Sequence, residues 1–253
     1  MTGSSLQILW NRCKEALLHC AYPQWCQICR AEPASAESGY VGSACQAGIR
    51  SITKPFCECC GQPHWGEIEG PYICSNCRME PPHYTCARAG ALFDGVVRDA
   101  ILRYKYHRAL WIEPLLAQHL QNAFQKLPQA GDPWDILIPV PLHRTRRRHR
   151  QFNQAEQLAQ HIARQAELPV ETGALSRIVD SPTQTRLTRA ARFDNLKNAF
   201  AVTGPERVMG KRVILIDDVL TSGATATHCA RELRKAGASE VAVCTVARTE
   251  ARG

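Results

Sequence analysis

Val213-Ile214-Leu215-Ile216-Asp217-Asp218-Val219-Leu220-Thr221-Ser222-Gly223-Ala224-Thr225 decides how the rest of the chain is read. Val213 to Ile216 is a β-branched and aliphatic run, the pattern of a parallel strand covered on both faces. Two adjacent carboxylates, Asp217 and Asp218, close it, and ligands of open α/β sheets gather at the carboxyl ends of the strands. The loop Thr221-Ser222-Gly223-Ala224-Thr225 opens a helix. Gly223 permits close approach of backbone to ligand, while first-turn N–H groups and the hydroxyls of Thr221, Ser222 and Thr225 suit phosphate oxygens. With carboxylates upstream to accept hydrogen bonds from vicinal hydroxyls, the segment reads as a clamp for a phosphorylated sugar. Acidic pairs at strand ends also occur in nucleotide hydrolases, but those need GxxxxGK[ST] after an earlier strand. The stretch Gly204 to Arg212 has the wrong spacing, lacks the final hydroxyl and precedes its strand.

Working outward, the spacing predicts helices over 98–107, 113–126, 152–165 and 224–236, with Asn153 capping the third and Gly237 stopping the last. Strands are expected over 135–140, 213–218 and 241–247, with strand or approach loop over 91–97. This is α/β patterning, and it begins only after Pro81-Pro82. The chain has 253 residues, enough for one α/β domain with a proper core and a smaller module. The expected division is a helical segment over 1–25, a cysteine-rich module over 26–86 and the α/β domain over 87–253.

Of the 13 cysteines, 11 lie before Gly90. Charged residues interrupt the apolar positions of Met1 to Ala21, so neither a secretory segment nor a membrane span fits. A cytoplasmic location follows, where clustered thiols are metal ligands before they are disulfides. Cys57, Cys60, Cys74 and Cys77 form CxxC-x13-CxxC, a zinc-ribbon spacing that closes a structural zinc (Zn2+) site with four thiolates. Cys26 and Cys29 form another knuckle whose partner is Cys45, but Gly48 stands where a fourth cysteine belongs. Cys13, Cys20, His19 or Cys59 are candidates to complete this possible second metal site. Cys59 and Cys86 are otherwise expected to be spectators, and Cys229 and Cys244 small core hydrophobes.

The net charge is +8 and the isoelectric point about 8.9. Five arginines, Arg144, Arg146, Arg147, Arg148 and Arg150, follow the proline-stiffened turn Pro139-Val140-Pro141. They exceed what one pyrophosphate needs and suggest a polyanion, with bidentate contacts to phosphate. A second basic stretch, Gln184 to Phe200 with Arg186, Arg189 and Arg192, has the composition of a closing flap. Lys105, between Tyr104 and Tyr106, adds a cation, and the tyrosines are expected in a helix core rather than stacked on bases.

The acidic pair and its loop resemble those of the phosphoribosyltransferases, which bind 5-phosphoribosyl 1-pyrophosphate (PRPP). That resemblance implies that Asp217 and Asp218 hold the ribose hydroxyls as the catalytic pair. Thr221, Ser222, Gly223, Ala224 and Thr225 hold the 5′-phosphate, Arg144 and Arg146 face the pyrophosphate, and Mg2+ bridges pyrophosphate and ribose. The order of knuckles, Tyr104-Lys105-Tyr106, the Pro139 to Gln154 segment, the Gln184 to Phe200 segment and the acidic pair is similar to the ComF family, which includes the GntX-type proteins. The family implies a type I phosphoribosyltransferase fold behind an N-terminal zinc ribbon. It also implies a role in natural competence or DNA utilisation, with single-stranded DNA and uptake proteins such as the competence helicase as partners and no membrane insertion. Two residues depart from its pattern: Gln151 replaces a glycine before Phe152, leaving the positive-φ turn there absent or strained, and Gly48 replaces a cysteine.

Two classes stay open. One is an enzyme that displaces pyrophosphate from PRPP, a nucleobase-salvage transferase among them; the other is a non-catalytic PRPP-sensing protein that binds DNA through its basic surface. A two-metal nuclease is excluded by the lack of a dispersed carboxylate and histidine cluster.

Overall fold

The structure, a computed structural model, describes residues 24–128, 131–180 and 196–250. In chain order the elements are α1 (Ser43–Ala47), α2 (Ser75–Met79), β1 (Cys86–Leu92), α3 (Gly95–His107), α4 (Glu113–Phe124), β2 (Ile136–Pro139) and α5 (Arg144–Arg150). They continue with α6 (Gln154–Ala166), β3 (Leu175–Arg177), β4 (Phe200–Val202), β5 (Arg212–Leu220), α7 (Ala224–Lys235) and β6 (Glu240–Arg248). Four strands form a parallel sheet in the order β1-β6-β5-β2, and β3 pairs with β4 as a separate antiparallel ladder.

Period-two alternation sorts the sheet's side chains into two cores. Ile214, Ile216, Ala242, Cys244 and Val246 face Leu115, Leu116 and Leu120 of α4 and Leu158 and Ile162 of α6. Val213, Leu215, Val241 and Val243 face Cys229, Ala230 and Leu233 of α7, with Leu175 and Phe200 of the small ladder. Each buried Leu or Ile contributes about 1.5–3 kcal/mol, so helices on both faces of a parallel sheet hold this part together. The expected α/β class with its parallel sheet is therefore present. Cys229 and Cys244 are fully buried, as expected for small hydrophobes. Asn153 caps α6 as expected, accepting the Ala155 N–H at 3.2 Å.

One local expectation needs correction. Where strand or approach loop is expected over 91–97, the strand lies earlier, at Cys86–Leu92, Phe93 and Asp94 connect it onward, and Gly95 is already helical. Every residue of β1 is buried, yet the strand is built from small residues with one arginine and a final leucine, so it carries no β-branched signal. Its smallness has a packing reason: a Cβ on Gly90 would collide with the His119 backbone of α4. The arginine run from Arg144 to Arg150, to which the sequence assigned no element, is a helix whose first turn is capped by His143 Nδ1 accepting from Thr145 N at 3.4 Å.

The cysteine-rich segment lies along β1. Ala87 N donates to Cys59 O at 2.7 Å, Ile52 N to Gly90 O at 3.1 Å and Leu92 N to Arg50 O at 2.8 Å. These bonds cover a strand edge that would otherwise present unpaired groups. Arg88, nearly fully buried, donates to Glu58 Oε2 at 2.5 Å and to Glu58 O at 2.8 Å while its guanidinium lies 4.7 Å from the Phe56 ring. Cys26 and Val41 belong to the same apolar core as the sheet.

The positive-φ turn before Phe152 is present, and a non-glycine residue makes it. Gln151 has φ 66° and ends α5, donating its N–H to Arg147 O at 2.7 Å. A left-handed L-residue costs roughly 1 kcal/mol. Gln151→Gly is therefore expected to raise the denaturant midpoint by an amount worth about 0.5–1 kcal/mol, with an unchanged slope. An unchanged or lowered midpoint would show that the Gln151 side chain supplies a compensating contact.

Candidate functional site

The carboxyl edge of the sheet gathers the clamp. Asp217 and Asp218 end the hydrophobic run of β5 beside β6, with Asp217 paired in register with Thr245. Alternation sends the two carboxylates to opposite sides of the strand. Asp218 is buried and its Oδ1 lies 2.8 Å from Lys105 Nζ, delivered by α3. Asp217 accepts the Asp218 N–H at 2.9 Å and lies within the electrostatic reach of Arg177 on β3. Burial and the neighbouring Asp218 charge push the Asp217 pKa up to about 7, against the pull of Lys105 and Arg177. One carboxylate is thus neutralised by an ion pair, while the other is held where its charge is costly.

The loop that follows turns on Gly223 into the N-terminus of α7. Gly223 has φ 81°, the left-handed conformation that favours glycine, and caps the N-terminus of α7, with the Tyr84 hydroxyl 3.3 Å from where a Cβ would sit. Ser222 Oγ accepts from Ala224 N at 3.4 Å, and Thr221 is exposed at the mouth of the loop. Val140 N donates to Ile216 O at 2.9 Å, which places the start of the arginine segment beside the acidic pair's strand.

Of the five arginines, Arg147 reaches Glu156 at 3.4 Å, and Arg150 donates to Gln154 Oε1 at 3.0 Å and lies 5.1 Å from the Tyr106 ring. Arg144 and Arg148 are exposed, with no partner among the described residues. Arg146 is an electrostatic neighbour of Arg177, which connects the helix to the clamp. Tyr104 is a core residue as expected, donating to Glu113 Oε2 at 2.6 Å, whereas Tyr106 is 59% exposed and lies open to solvent beside Arg150. Arg186, Arg189 and Arg192 lie outside the described residues, as do Cys13, His19, Cys20 and nearly all of the 1–25 segment. Sequence reading did not single out Arg177, because one arginine in a short strand carries no local signal of the carboxylate it faces.

Cys57, Cys60, Cys74 and Cys77 bring their four sulfurs within 4.8 Å of one another. Cys60 and Cys74 sulfurs are 3.7 Å apart, matching the edge of about 3.8 Å expected for a tetrahedron with Zn–S near 2.3 Å. The Cys60 thiol donates toward Cys57, and with backbone N–H groups from Cys60, Cys74 and Cys59 it draws the Cys57 pKa down to about 4 despite burial. The donor set fits a closed, structural zinc site. A second cluster brings Cys26, Cys29 and Cys45 together with Glu32, a ligand candidate that the sequence reading missed. Among the described residues no helix is long and apolar enough to cross a membrane.

Residues 153–253 match the phosphoribosyl transferase domain family, and residues 17–78 match the double zinc ribbon domain. Fold and site together define a type I phosphoribosyltransferase-like protein with an N-terminal double zinc ribbon. The chain is 32% identical to competence protein F of Haemophilus influenzae over 88% of its own length and 96% of that protein's. It is 29% identical to the DNA utilization protein YhgH of Escherichia coli K12, over 90% of this chain and 98% of the relative. With the competence protein ComFC of Bacillus subtilis the identity is 25%, over 77% and 78% of the two chains. The chain belongs to the ComF family of competence proteins. Among solved structures, a glutamine PRPP amidotransferase from B. subtilis is 22% identical with a TM-score of 0.32, covering 70% of this chain, which spans about a third (32%) of that one.

Proposed function

We propose that the protein binds Mg2+–PRPP at the Asp217–Asp218 clamp and acts in the use of external DNA, contacting single strands through the arginine helix α5. The observation that carries this reading is the acidic pair, Asp218 buried and Asp217 half-buried, served by Lys105 and Arg177, directly upstream of a glycine-turned helix N-terminus. The carboxylates accept the ribose hydroxyls, and the N-terminal N–H groups of α7 with Thr221, Ser222 and Thr225 hold the 5′-phosphate. Lys105, Arg144 and Arg146 balance the pyrophosphate charge. Mg2+ takes oxygen ligands, so it suits this donor set, and when bound it neutralises charge on the pyrophosphate. The names of the relatives support the DNA role, as does a net charge of +8.

The direct test is calorimetric titration of Mg2+–PRPP, followed by assay of pyrophosphate release with nucleobases and single-stranded DNA offered as acceptors. Release with one acceptor identifies a transferase, and with a nucleobase a salvage enzyme. Binding without release identifies a PRPP-sensing DNA-binding protein. No PRPP binding by the folded, zinc-loaded protein overturns the clamp.

Proton linkage gives a second check. Asp217 holds its proton more tightly when folded, so ionising it between about pH 4 and pH 7 costs stability, and a ligand that needs the anion recovers that cost. Below pH 7, PRPP binding is expected to release on the order of one proton and to weaken about tenfold per pH unit, with neither effect above pH 8. Calorimetry at pH 6 in buffers of different ionisation enthalpy measures this directly. An equal heat in all buffers would remove Asp217 from the binding step.

For the DNA contact, anisotropy of an oligo-dT probe across a salt series is expected to show a linear log–log dependence with a slope of about −0.7 per phosphate contacted. Arg144→Ala with Arg148→Ala should flatten that slope by about 1.4. An unaltered slope would mean that these two exposed arginines touch no DNA.

A further inference from the structure

The second cysteine cluster lacks a fourth thiolate but keeps the architecture of the first. In the first knuckle, Gly61 N donates to Cys57 O at 2.8 Å with Gly61 at φ 68°. In the second, Arg30 N donates to Cys26 O at the same 2.8 Å with Arg30 at φ 60°. The same turn is thus made by an arginine, at a cost of roughly 1 kcal/mol that an ordinary surface loop would avoid. Each knuckle also points a backbone N–H at one of its sulfurs, Cys60 N at Cys57 Sγ and Ala31 N at Cys29 Sγ, both at 3.5 Å.

Glu32 fills the vacancy left by Gly48. Its Oε2 accepts Ala44 N at 2.9 Å and Ser43 Oγ at 3.5 Å, which anchors the carboxylate at the start of α1. Its Oε1 accepts Cys45 N at 3.0 Å and lies 3.7 Å from Cys29 Sγ, on the side of the thiols. All four ligand atoms lie within 4.8 Å of one another. Gly42 leaves the space that the Glu32 side chain occupies, since a Cβ there would overlap it. Both oxygens are therefore oriented by backbone hydrogen bonds, and Oε1, on the side of the thiols, keeps one lone pair for a metal.

We propose that Glu32 is the fourth ligand of a second zinc ion, in a Cys26-Cys29-Cys45-Glu32 site that exchanges its metal faster than the four-thiolate site. Three thiolates and a carboxylate carry the same formal charge as four thiolates, so zinc remains a suitable occupant. The carboxylate is the harder, weaker ligand, and Cys29 is exposed where Cys57, Cys74 and Cys77 are all buried, so competitors reach this ion first.

The test is zinc content of the full-length protein by mass spectrometry, with release followed under excess EDTA. Wild type is expected to hold two zinc ions per chain and to lose one at least tenfold faster than the other. Glu32→Gln, whose one amide oxygen can accept from Ala44 N or Cys45 N but not both and which removes the anionic ligand, is expected to lower affinity at the fast site about tenfold or more. Glu32→Cys is expected to hold two ions with the fast phase slowed. Cadmium-113 NMR of the wild type supplies a readout that needs no variant. One resonance at the four-thiolate position and one shifted upfield by oxygen ligation are expected, and Glu32→Cys should move the second to join the first. A single zinc per chain after zinc loading, two four-thiolate cadmium signals, or unchanged release in Glu32→Gln would each overturn the assignment.

Discussion

Replacing Cys57 and Cys74 together by serine is expected to unfold the ribbon and uncover the β1 edge. The cluster around these residues contains only cysteines and Tyr72, so it has almost no apolar core to fall back on. A structural zinc contributes about 10–16 kcal/mol to folding such a unit, comparable with the entire stability of a typical domain at about 5–15 kcal/mol. The contacts of Arg88 with Glu58 and Phe56 cannot offset a loss of that size. Once the ribbon leaves, Ala87 N and Leu92 N lose their acceptors Cys59 O and Arg50 O, and Gly90 O loses its donor Ile52 N. An exposed edge strand then invites self-association. Hydrogen exchange should show loss of protection at Ala87 and Leu92 while Val213 to Ile216 stay protected, with aggregation rising on warming. Retained protection at Ala87 and Leu92 would mean that the edge is held without the metal.

The second large effect concerns the acidic pair. Asp217→Asn with Asp218→Asn is expected to weaken Mg2+–PRPP binding by about 100-fold or more, since two charge-assisted hydrogen bonds of about 1.5–3 kcal/mol each are lost. The single variants should differ in stability with opposite signs. Asp217→Asn removes a charge that burial and Asp218 make costly, so at pH 8 it stabilises the fold. Asp218→Asn strips Lys105, whose side chain is 18% exposed, of its carboxylate at 2.8 Å, and should destabilise by about 1–3 kcal/mol. Denaturant titration of each single variant at pH 8 measures this. Equal shifts of the same sign would contradict the division of labour between the two carboxylates. Full PRPP affinity in the double variant would sink the clamp.

Much of the site was legible because it is local. The strand, acidic pair, hydroxyl loop and glycine turn are consecutive, and each residue type is dictated by backbone geometry within a few positions. The same holds for CxxC-x13-CxxC, where the knuckle turn and the ligand spacing are properties of short segments. Expected helix ends at α4, α6 and α7 lie within two residues of those observed, because apolar periodicity records which face meets the sheet. β1 stayed hidden for the opposite reason: its small residues are set by how closely α4 approaches Gly90 and by where Arg88 finds Glu58, facts about other parts of the chain.

By itself, then, the sequence determined the α/β class, the acidic pair at a strand end with the glycine-turned loop after it, the four-cysteine cluster and the family. Tertiary structure alone decided that Lys105 meets Asp218 and that Arg177 comes within electrostatic reach of Asp217, that Glu32 joins Cys26, Cys29 and Cys45, and that the ribbon covers β1. The positive-φ turn at Gln151 belongs with these, since the sequence left it either absent or strained and the fold keeps it. The reason is physical. Turns, caps and ligand spacings are settled by neighbours along the chain. Ion pairs and edge contacts depend on residues tens to more than a hundred positions apart, such as Lys105 and Asp218, that only the packed sheet brings within hydrogen-bonding distance.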